Sequence, residues 1–441
     1  MGKTVLIVGS GAREHAISLA YENSKHVDRI IVSPGNDFIA FNRKKEVLIE
    51  KSGNLKNPNS FLDIAQKYAA DLVDVAQDDA LAAGTVDLLR QNNIRAFGAT
   101  KNAARIEWDK SWSRDFMQRH QIPMPRHQSF ESEEAAKRYA TQAYAQNQNA
   151  LLFVKAGGLA AGKGALKSAN FREATQNIEK MKEFGEAGKQ FVIEEGLVGE
   201  EFSYYAITDG ETIHCCPSAQ DNKTVYNFDE GDQTGGMGAI SPARVTKPIQ
   251  AEIESQLIQR AVQGMKSEGT PYQGILYLGG ISVNGKPFNI EYNARWGDPE
   301  CQVVLPSIQN DYFELAESVL EKKLRQTKVE QDELVRVCVV GASRGYPNDY
   351  SAAKGKRIFG LEEAMGEKGV TVYSAGIRME NGKFYANGGR LFSIVGEGKN
   401  ILEARRRAYG AISRVSIEGN NLHYRTDIGW RDVERFIQGN R

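Results

Sequence analysis

The chain has 441 residues, of which 41% are hydrophobic and 25% charged, and this is ordinary for a folded protein of two to four domains. Lys plus Arg and Asp plus Glu number 56 each, so the balance excludes a broad basic surface for nucleic acid, and any phosphate site must be local. No apolar run approaches the roughly 20 residues of a membrane span, and the first residues lack the layout of a signal peptide, so a cytoplasmic protein is expected.

Strand and helix patterns alternate over about the first hundred residues. Predicted strands are VLIVGS, RIIVS, DLVDVA and IRAFGA, and a helix is predicted from Ala12 to Asn23. This order predicts a parallel sheet whose ligands bind at the carboxyl ends of the strands. At the carboxyl end of the first predicted strand, Gly9 and Gly11 match the first two glycines of the dinucleotide-binding pattern G-x-G-x-x-G. Glu14 stands in place of the third glycine, so the pattern is incomplete. The helix N-terminus is therefore predicted to bind a single phosphate, assisted by Arg13.

A glycine-rich turn, KAGGLAAGKG, runs from Lys155 to Gly164 after the predicted strand LLFVK. Glycines allow backbone N–H groups to approach a phosphate closely, and Lys155 and Lys163 add positive charge. Gly164 stands where a Walker A loop needs Ser or Thr, so that motif is not satisfied. Taken alone, the turn is explained equally well as a mobile surface hairpin.

Two later segments also allow two interpretations. IEEGLVGEE, residues 193–201, fits a strand whose backbone pairs with adenine and is followed by an acid for ribose hydroxyls, although an amphipathic strand with solvated acids explains it better when it is taken alone. DEGDQTGGMG, residues 229–238, is predicted as a flexible loop whose amides could hold an anion, or as a long disordered turn.

The segment NIEYNARWGDPE carries the strongest chemical signal. It closes a predicted hairpin, GILYLGGISVNGKPFNIEYN, with Asn-Gly as the turn. Because side chains alternate along a strand, Asn289, Glu291 and Asn293 are predicted to share one face. A carboxylate and an amide oxygen two residues apart suit Mg²⁺, and Arg295 can meet an anion. The segment therefore predicts a metal–nucleotide site.

Taken in order, the motifs of this chain resemble those of the phosphoribosylamine–glycine ligase family in the ATP-grasp superfamily. They are GSGAREH, SPGN, KAGGLAAGKGA, IEEGLVGEE, AQDNK, TGGMGAISP, IEYNARWGDPECQ, GYPNDY, NGGR and YRTDIGW. The resemblance implies an α/β and α+β multidomain fold. Its parts would be a flavodoxin-like N-terminal domain (1–122), an ATP-grasp core with a lid subdomain (123–195) and a catalytic subdomain (196–328), and a C-terminal mixed α/β domain (329–441).

The resemblance also implies an activity. Members of this family join glycine to 5-phosphoribosylamine through a glycyl phosphate, giving glycinamide ribonucleotide, ADP and phosphate in purine biosynthesis. The implied cofactors are ATP and Mg²⁺ or Mn²⁺. The implied partners are these small molecules, with no nucleic acid or membrane, and a monomer or weak homodimer is expected.

Site residues follow from the same resemblance. Glu291 and Asn293 would hold the metal, and the catalytic residues would be Arg295, Asp298 and Lys155. Residues implied at the nucleotide are Lys110, Lys155, Gly157, Gly158, Gly162, Lys163, Gly164, Glu194, Glu195, Leu197 and Glu201. Residues implied at the substrates are Gly9, Gly11, Arg13, Pro34, Gly35, Asn36, Asp78, Asp221, Gly236 and Arg390.

Departures from the family pattern cluster near the acceptor side. VAQDDAL replaces the usual VGPEAPL, with Asp78 in place of a substrate-facing glutamate, and GDQTGGMG replaces GPNTGGMG. The metal and ATP groups are kept. The alternative is therefore an ATP-grasp ligase of the same layout that joins a different amino acid or amine. A nucleotide-binding protein without catalysis is disfavoured because Glu291, Asn293, Lys155 and Arg295 are all present.

Overall fold

The computed structural model describes residues 2–160 and 164–439, and the elements given below belong to this part of the chain. The predicted site residues Gly162 and Lys163 lie outside it. Each helix within the described ranges is too short or too polar to cross a lipid bilayer.

The N-terminal domain is a parallel sheet in the order β3-β2-β1-β4-β5. Its strands are β1 (Lys3–Gly9), β2 (Val27–Pro34), β3 (Glu46–Ile49), β4 (Leu72–Val75) and β5 (Ala96–Phe97). Its helices are α1 (Ala12–Glu22), α2 (Pro58–Lys67), α3 (Asp78–Ala83), α4 (Thr85–Gln91), α5 (Lys101–Trp108) and α6 (Lys110–Arg119). The predicted βαβ architecture is confirmed. The strand order differs from that of a flavodoxin sheet, 2-1-3-4-5, because β3 pairs with the outer side of β2 and is an edge strand here. GSGAREH, SPGN and VAQDDAL follow the carboxyl ends of β1, β2 and β4 and therefore meet at one edge.

A small antiparallel sheet, β6-β9-β7-β8, carries the glycine-rich turn between β7 and β8. Its elements are β6 (His127–Phe130), α7 (Glu133–Gln146), β7 (Leu152–Ala156), β8 (Ala165–Ser168), α8 (Phe171–Lys180) and β9 (Phe191–Glu195). The buried side chains of this unit form a hydrophobic cluster of their own between Phe130 and Ile193. A separate core is what a unit needs to move as one body, which supports the predicted lid.

The central sheet has the order β11-β10-β16-β17. The strands of this region of the chain, including those outside the central sheet, are β10 (Glu200–Thr208), β11 (Ile213–Cys215), β12 (Gln220–Asp221), β13 (Thr224–Tyr226), β14 (Glu230–Gln233), β15 (Gly238–Ser241), β16 (Gly274–Val283) and β17 (Lys286–Asn293). The helices are α9 (Gln250–Glu252), α10 (Arg260–Ser267), α11 (Cys301–Val304) and α12 (Tyr312–Leu320). The predicted hairpin turn is confirmed at Asn284 and Gly285, which both have positive φ.

One prediction for this region is wrong. Residues 229–238 are not a flexible loop, because β14 pairs with β13 and the segment ends in the first residue of β15.

The C-terminal domain shares its main sheet with the central region. The order β12-β15-β18-β23-β20 places two short strands from before residue 329 beside three strands from after it. The strands are β18 (Val335–Ser343), β19 (Arg357–Phe359), β20 (Val370–Ser374), β21 (Ile377–Glu380), β22 (Lys383–Ala386), β23 (Arg390–Gly398), β24 (Ser416–Ile417) and β25 (Leu422–His423). The helices are α13 (Leu361–Met365), α14 (Ile401–Ile412) and α15 (Trp430–Ile437). This shared sheet brings NGGR next to TGGMG.

The pairing of β16 with β17 corrects one predicted face. Glu291 lies opposite Gly279, but Asn289 lies opposite Gly280, so Ile290 is an extra residue that forms a β-bulge. Glu291 and Asn293 therefore share a face as predicted. Asn289 lies on the other face, and its predicted alignment with Glu291 is wrong because the bulge interrupts the two-residue repeat.

Candidate active site

A pocket of about 130 Å³ lies where α5, α6, β7 and β17 meet. Its lining includes six of the predicted site residues: Asp78, Lys110, Lys155, Glu291, Asn293 and Arg295. Side chains that the sequence analysis did not single out also line it, among them Glu107, Ser113, Arg114 and Leu159. The tertiary structure thus gathers residues from four separate stretches of the chain.

The start of α6 connects the pocket to the glycine-rich turn. The Asp109 carboxylate caps the helix by accepting the N–H of Trp112 at 3.0 Å. The next residue, Lys110, donates its backbone N–H to the carbonyl of Gly157 at 2.8 Å. Lys110 and Arg114 lie one turn apart and therefore point to the same side of the helix.

Lys155 belongs to a buried group of three charges. Its Nζ lies 2.7 Å from Oε2 of Glu194, and Oε1 of Glu194 accepts from Nε of Arg114 at 2.6 Å. Arg114 also donates to the carbonyl of Ile290, the bulge residue. The three side chains are 7%, 2% and 5% exposed for Lys155, Glu194 and Arg114 respectively. The group carries a net positive charge, as a site for phosphates requires.

The pKa values of this group follow from burial and pairing. Burial lowers the pKa of the Lys155 ammonium below its ordinary value, against the opposing effect of Glu194. Burial alone would raise the pKa of the Glu194 carboxyl, but Arg114 and Lys155 lower it to about 2. The carboxylate is therefore ionised throughout the physiological range.

Glu194→Gln is expected to lower the free energy of unfolding by roughly 3–5 kcal/mol near neutral pH, because it leaves two buried cations without their shared anion. Since the folded pKa is lower than the unfolded value of 4.5, the carboxylate stabilises the fold above pH 4.5, and this stabilisation is lost as the pH falls toward about 2. Urea unfolding at several pH values measures the difference between variant and wild type, which should shrink across that window.

The matched control is the neighbouring Glu195→Gln. Glu195 pairs with Arg126, whose side chain is 88% exposed, and such surface pairs contribute about 0–1 kcal/mol. Equal losses in the two variants would contradict the role of Glu194.

Glu291 lies partly buried among cations. Burial alone would raise the pKa of its carboxyl, but four side chains hold it below its ordinary value. These are, in order of effect, Lys110, Lys223, Lys155 and Arg295. On the same face of β17, the amide nitrogen of Asn293 is buried without a hydrogen-bond partner among the described residues. The site therefore offers an ionised carboxylate and an amide with an unpaired N–H group, surrounded by cations.

Arg295 is held at two corners of its guanidinium. Nη2 lies 2.9 Å from Oε1 of Glu107, and Nη1 donates to the carbonyl of Trp296 at 3.3 Å. Its Nε is buried and has no protein partner in the described part of the chain. Although burial opposes it, Glu107 and Asp78 raise the pKa of Arg295, which stays fully charged. Arg295 can therefore bind an anion without giving up either contact.

A second group of predicted residues lies at the joint with the C-terminal domain. Nη1 of Arg390 donates to the carbonyls of Gly235 at 2.6 Å and Asp298 at 2.8 Å, and Nη2 lies 3.4 Å from the Asp298 carboxylate. Burial alone would raise the pKa of Asp298, but Arg390 and Arg13 hold it below its ordinary value. Asp298 is thus an anion shared by arginines from the two ends of the chain.

Asp221 and Gly236 adjoin this joint. A Cβ on Gly236 would come within 2.4 Å of Pro299 and 2.7 Å of the Asp221 carboxylate, so only glycine fits there. Burial, and then the charge of Glu300, raise the pKa of Asp221 well above its ordinary value. One of its carboxylate oxygens is buried with no hydrogen-bond partner among the described residues.

GSGAREH, the segment at which a phosphate is predicted, has internal contacts at the start of α1. The N–H of Gly11 donates to Glu14 at 2.6 Å, and Glu14 also accepts from Arg13 at 2.8 Å. The N–H of this N-cap residue is thus used by a carboxylate of the protein itself. The N–H of Gly35, after Pro34, donates to the carbonyl of Gly9 at 3.0 Å.

Asn36 completes this edge of the sheet. Its amide nitrogen donates to the carbonyl of Ser10 at 2.7 Å, and its amide oxygen accepts from the hydroxyl of Ser374 at 2.7 Å. Asn36 therefore joins the N-terminal and C-terminal domains.

Residues predicted at the nucleotide also have structural contacts. The N–H groups of Gly157 and Gly158 donate to the carbonyls of Gln190 and Ala187, at 2.8 and 3.0 Å, so in this conformation they are not free for phosphate. The carbonyl of Gly164 accepts from the N–H of Ala156 at 2.8 Å. Glu195 donates its N–H to the carbonyl of Arg126 at 2.9 Å, so this N–H is not free for adenine in this conformation.

Glu201 pairs with Lys223 at 2.7 Å, and this pair raises the pKa of the lysine. The sequence analysis missed four charged residues of the site: Lys223, Glu107, Arg114 and Glu300. Two of them have a signal in the sequence: Arg114 is four residues after Lys110 on one helix, and Lys223 is two residues after Asp221. Glu107 and Glu300 have none, because their partners are distant in the chain.

The parallel sheet, the small antiparallel sheet with its own core and the cationic pocket together fit an ATP-grasp protein. The chain matches the family described as phosphoribosylglycinamide synthetase in all three parts: the N domain over residues 3–107, the ATP-grasp (A) domain over 108–301 and the C domain over 336–431. The chain belongs to this family of ATP-dependent ligases, and its predicted family is confirmed.

Individual proteins of this family are similar to the chain over most of its length. The chain is 37% identical to a phosphoribosylamine–glycine ligase of Caldanaerobacter subterraneus subsp. tengcongensis, over 96% of this chain and 99% of that protein. It is 38% identical to the trifunctional purine biosynthetic protein adenosine-3 of Gallus gallus, over 98% of this chain, but it spans only 42% of the length of that protein. A crystal structure of phosphoribosylamine–glycine ligase from Thermotoga maritima has a TM-score of 0.79 and 30% identity, covering 97% of this chain and 100% of that one.

Proposed function

We propose that this chain joins glycine to 5-phosphoribosylamine at the expense of ATP, giving glycinamide ribonucleotide, ADP and phosphate in purine biosynthesis. The observation that carries the proposal is the pocket in which Lys110, Lys155 and Arg295 lie around Glu291 in a member of this family. Its small-molecule partners, its cytoplasmic location and a monomer or weak homodimer belong to the same proposal.

A divalent cation, Mg²⁺ or Mn²⁺, fits the donors present. Glu291 is ionised, Asn293 carries an amide oxygen, and the two residues share one face of β17. Carboxylate and amide oxygens are hard ligands. Glu291 and Asn293 would hold the cation, which when bound neutralises charge on the transferring phosphoryl group.

The protein's own cations act on the same phosphates. Lys110 and Lys155 bind the triphosphate, and Arg295 binds the glycine carboxylate with the donors that Glu107 and Trp296 leave free. A carboxylate oxygen of glycine attacks the γ-phosphorus as the bond to ADP breaks, and a mixed anhydride forms. Charge that builds on the transferring group is offset by these fixed cations.

The second step uses the amine acceptor. The nitrogen of phosphoribosylamine attacks the acyl carbon of the anhydride, phosphate leaves, and the nitrogen loses a proton. Because water also cleaves an anhydride, the lid with its separate core closes over the pocket. The phosphoribosyl group lies toward Arg13, Asn36 and Arg390, at the edge where the N-terminal and C-terminal domains meet.

A coupled ADP assay tests the proposal, and we expect turnover that requires ATP, glycine and 5-phosphoribosylamine together. Omission of any one should reduce ADP formation to background, and a chelator should abolish it until Mg²⁺ or Mn²⁺ is restored. The same assay is run with a panel of other amino acids and amines. Turnover with another pair but none with glycine would favour the alternative ligase, for which the Asp78 departure is the motivation.

A further inference from the structure

Glu107 is buried at the end of α5, three residues before Lys110, and each of its carboxylate oxygens has a partner on the segment that follows β17. Oε1 lies 2.9 Å from Nη2 of Arg295, and Oε2 accepts the backbone N–H of Ala294 at 2.7 Å. The two oxygens thus bind adjacent residues directly after Asn293. One rigid carboxylate connects a helix of the N-terminal region with the segment that carries the anion-binding arginine.

The contact between Glu107 and Arg295 affects the orientation of the guanidinium as well as its charge. A guanidinium is planar, so two anchored corners determine its orientation. Glu107 and the carbonyl of Trp296 anchor Nη2 and Nη1, whereas Nε remains buried without a protein partner in the described ranges. An unpaired buried donor costs free energy unless a ligand satisfies it.

We infer that Glu107 is a positioning residue, which holds the Arg295 guanidinium so that its unpaired donors receive the carboxylate of the amino-acid substrate. Glu107 does not itself contact the substrate. The inference rests on the proposed function for the identity of the substrate, but not for the geometry of the contact.

Glu107→Gln separates positioning from folding. Glutamine keeps an acceptor for the N–H of Ala294 but loses the charge that binds Arg295. We expect KM for glycine to rise about tenfold or more and kcat to fall about 100-fold, because misplacement of a binding group by about 1 Å costs that much. KM for ATP should stay within about twofold, since Lys110 and Lys155 bind the triphosphate.

The matched control is Glu22→Gln. Glu22 is also buried, also pairs with an arginine, Arg43, at 3.0 Å, and also accepts a backbone N–H, that of Lys44 at 2.7 Å. It lies on α1 and does not line the pocket. This variant should lose stability as a buried Glu–Arg pair does, with unchanged kcat and KM values. A parallel rise of KM for glycine in both variants would overturn the inference.

A double-mutant cycle supplies a readout that needs no turnover. Unfolding free energies of Glu107→Gln, Arg295→Met and the double variant should be non-additive, because the second substitution has no ion pair left to break. Glu107→Asp replaces Glu107→Gln if the glutamine variant does not fold. Additive effects, or a fall in kcat with equal rises of KM for glycine and ATP, would overturn the inference.

The outcomes distinguish this inference from the function on which it rests. Wild-type turnover with glycine together with normal constants for Glu107→Gln defeats the positioning role alone. Absence of wild-type turnover with glycine defeats the proposed function, and the cycle then decides whether Glu107 holds Arg295.

Discussion

Glu291→Ala is expected to lower kcat for ATP-dependent ligation about 10³-fold or more while the protein stays folded. Glu291 is the ionised member of the proposed metal pair, and a bound cation contributes several kcal/mol of transition-state charge stabilisation, at about 1.4 kcal/mol for each factor of ten. Its loss also leaves four cations around a position that has no anion. ADP formation and thermal unfolding measured on the same preparation check both parts.

Asn289→Ala is the control on the same strand. Asn289 lies two residues before Glu291 and carries an amide oxygen, which is a possible metal ligand. The bulge at Ile290 places Asn289 on the opposite face of β17. This variant should keep the wild-type kcat per folded molecule even if it unfolds at a lower temperature. Unchanged turnover in Glu291→Ala, or equal losses of kcat in the two variants, would count against the metal assignment.

Lys155→Met is expected to lower kcat/KM for ATP by about 10²- to 10³-fold, the usual cost of removing one fixed donor from a developing charge. Methionine keeps much of the side-chain volume but removes the ammonium. Glu194 then pairs with Arg114 alone, and the group loses the net positive charge that a phosphate requires. Steady-state kinetics with ATP varied at saturating glycine and acceptor measure the loss.

Lys167→Met is the matched control within the predicted lid. Lys167 lies on β8 opposite Phe153, and it is exposed. Its removal should change neither kcat nor KM for ATP. If the two lysine variants behave alike, Lys155 is not a phosphate ligand.

The family could be predicted because the ordered motifs of this chain resemble those of its members, and several strands and turns could be predicted because short segments have local signals. An apolar run that ends in glycine predicts β1 and its turn, and Asn-Gly between two alternating strands predicts the hairpin of β16 and β17. The shared face of Glu291 and Asn293 was predicted for the same reason: no irregularity separates them. The described residues confirm these features.

Other features failed where local patterns compete with tertiary contacts. Asn289 was misplaced because a bulge adds one residue without any mark in the sequence. The glycine-rich segment at 229–238 was predicted as a flexible loop, yet Arg390 and the hydroxyl of Tyr346 bind Gly235 from the C-terminal domain. At the start of α1, Glu14 binds the amide of Gly11 in this conformation, and phosphate binding there stays a prediction.

The sequence by itself determined the family and the types of side chain that are available for a metal, a phosphate or a carboxylate, together with their order along strands and turns. Only the tertiary structure decided how these groups are paired, as when Glu194 lies between Lys155 and Arg114, or Glu107 meets Arg295 across 188 positions of the chain. The physical reason is that periodicity reports local conformation, whereas the partner of a buried charge is set by the packing of distant segments, which must neutralise it wherever it is removed from water.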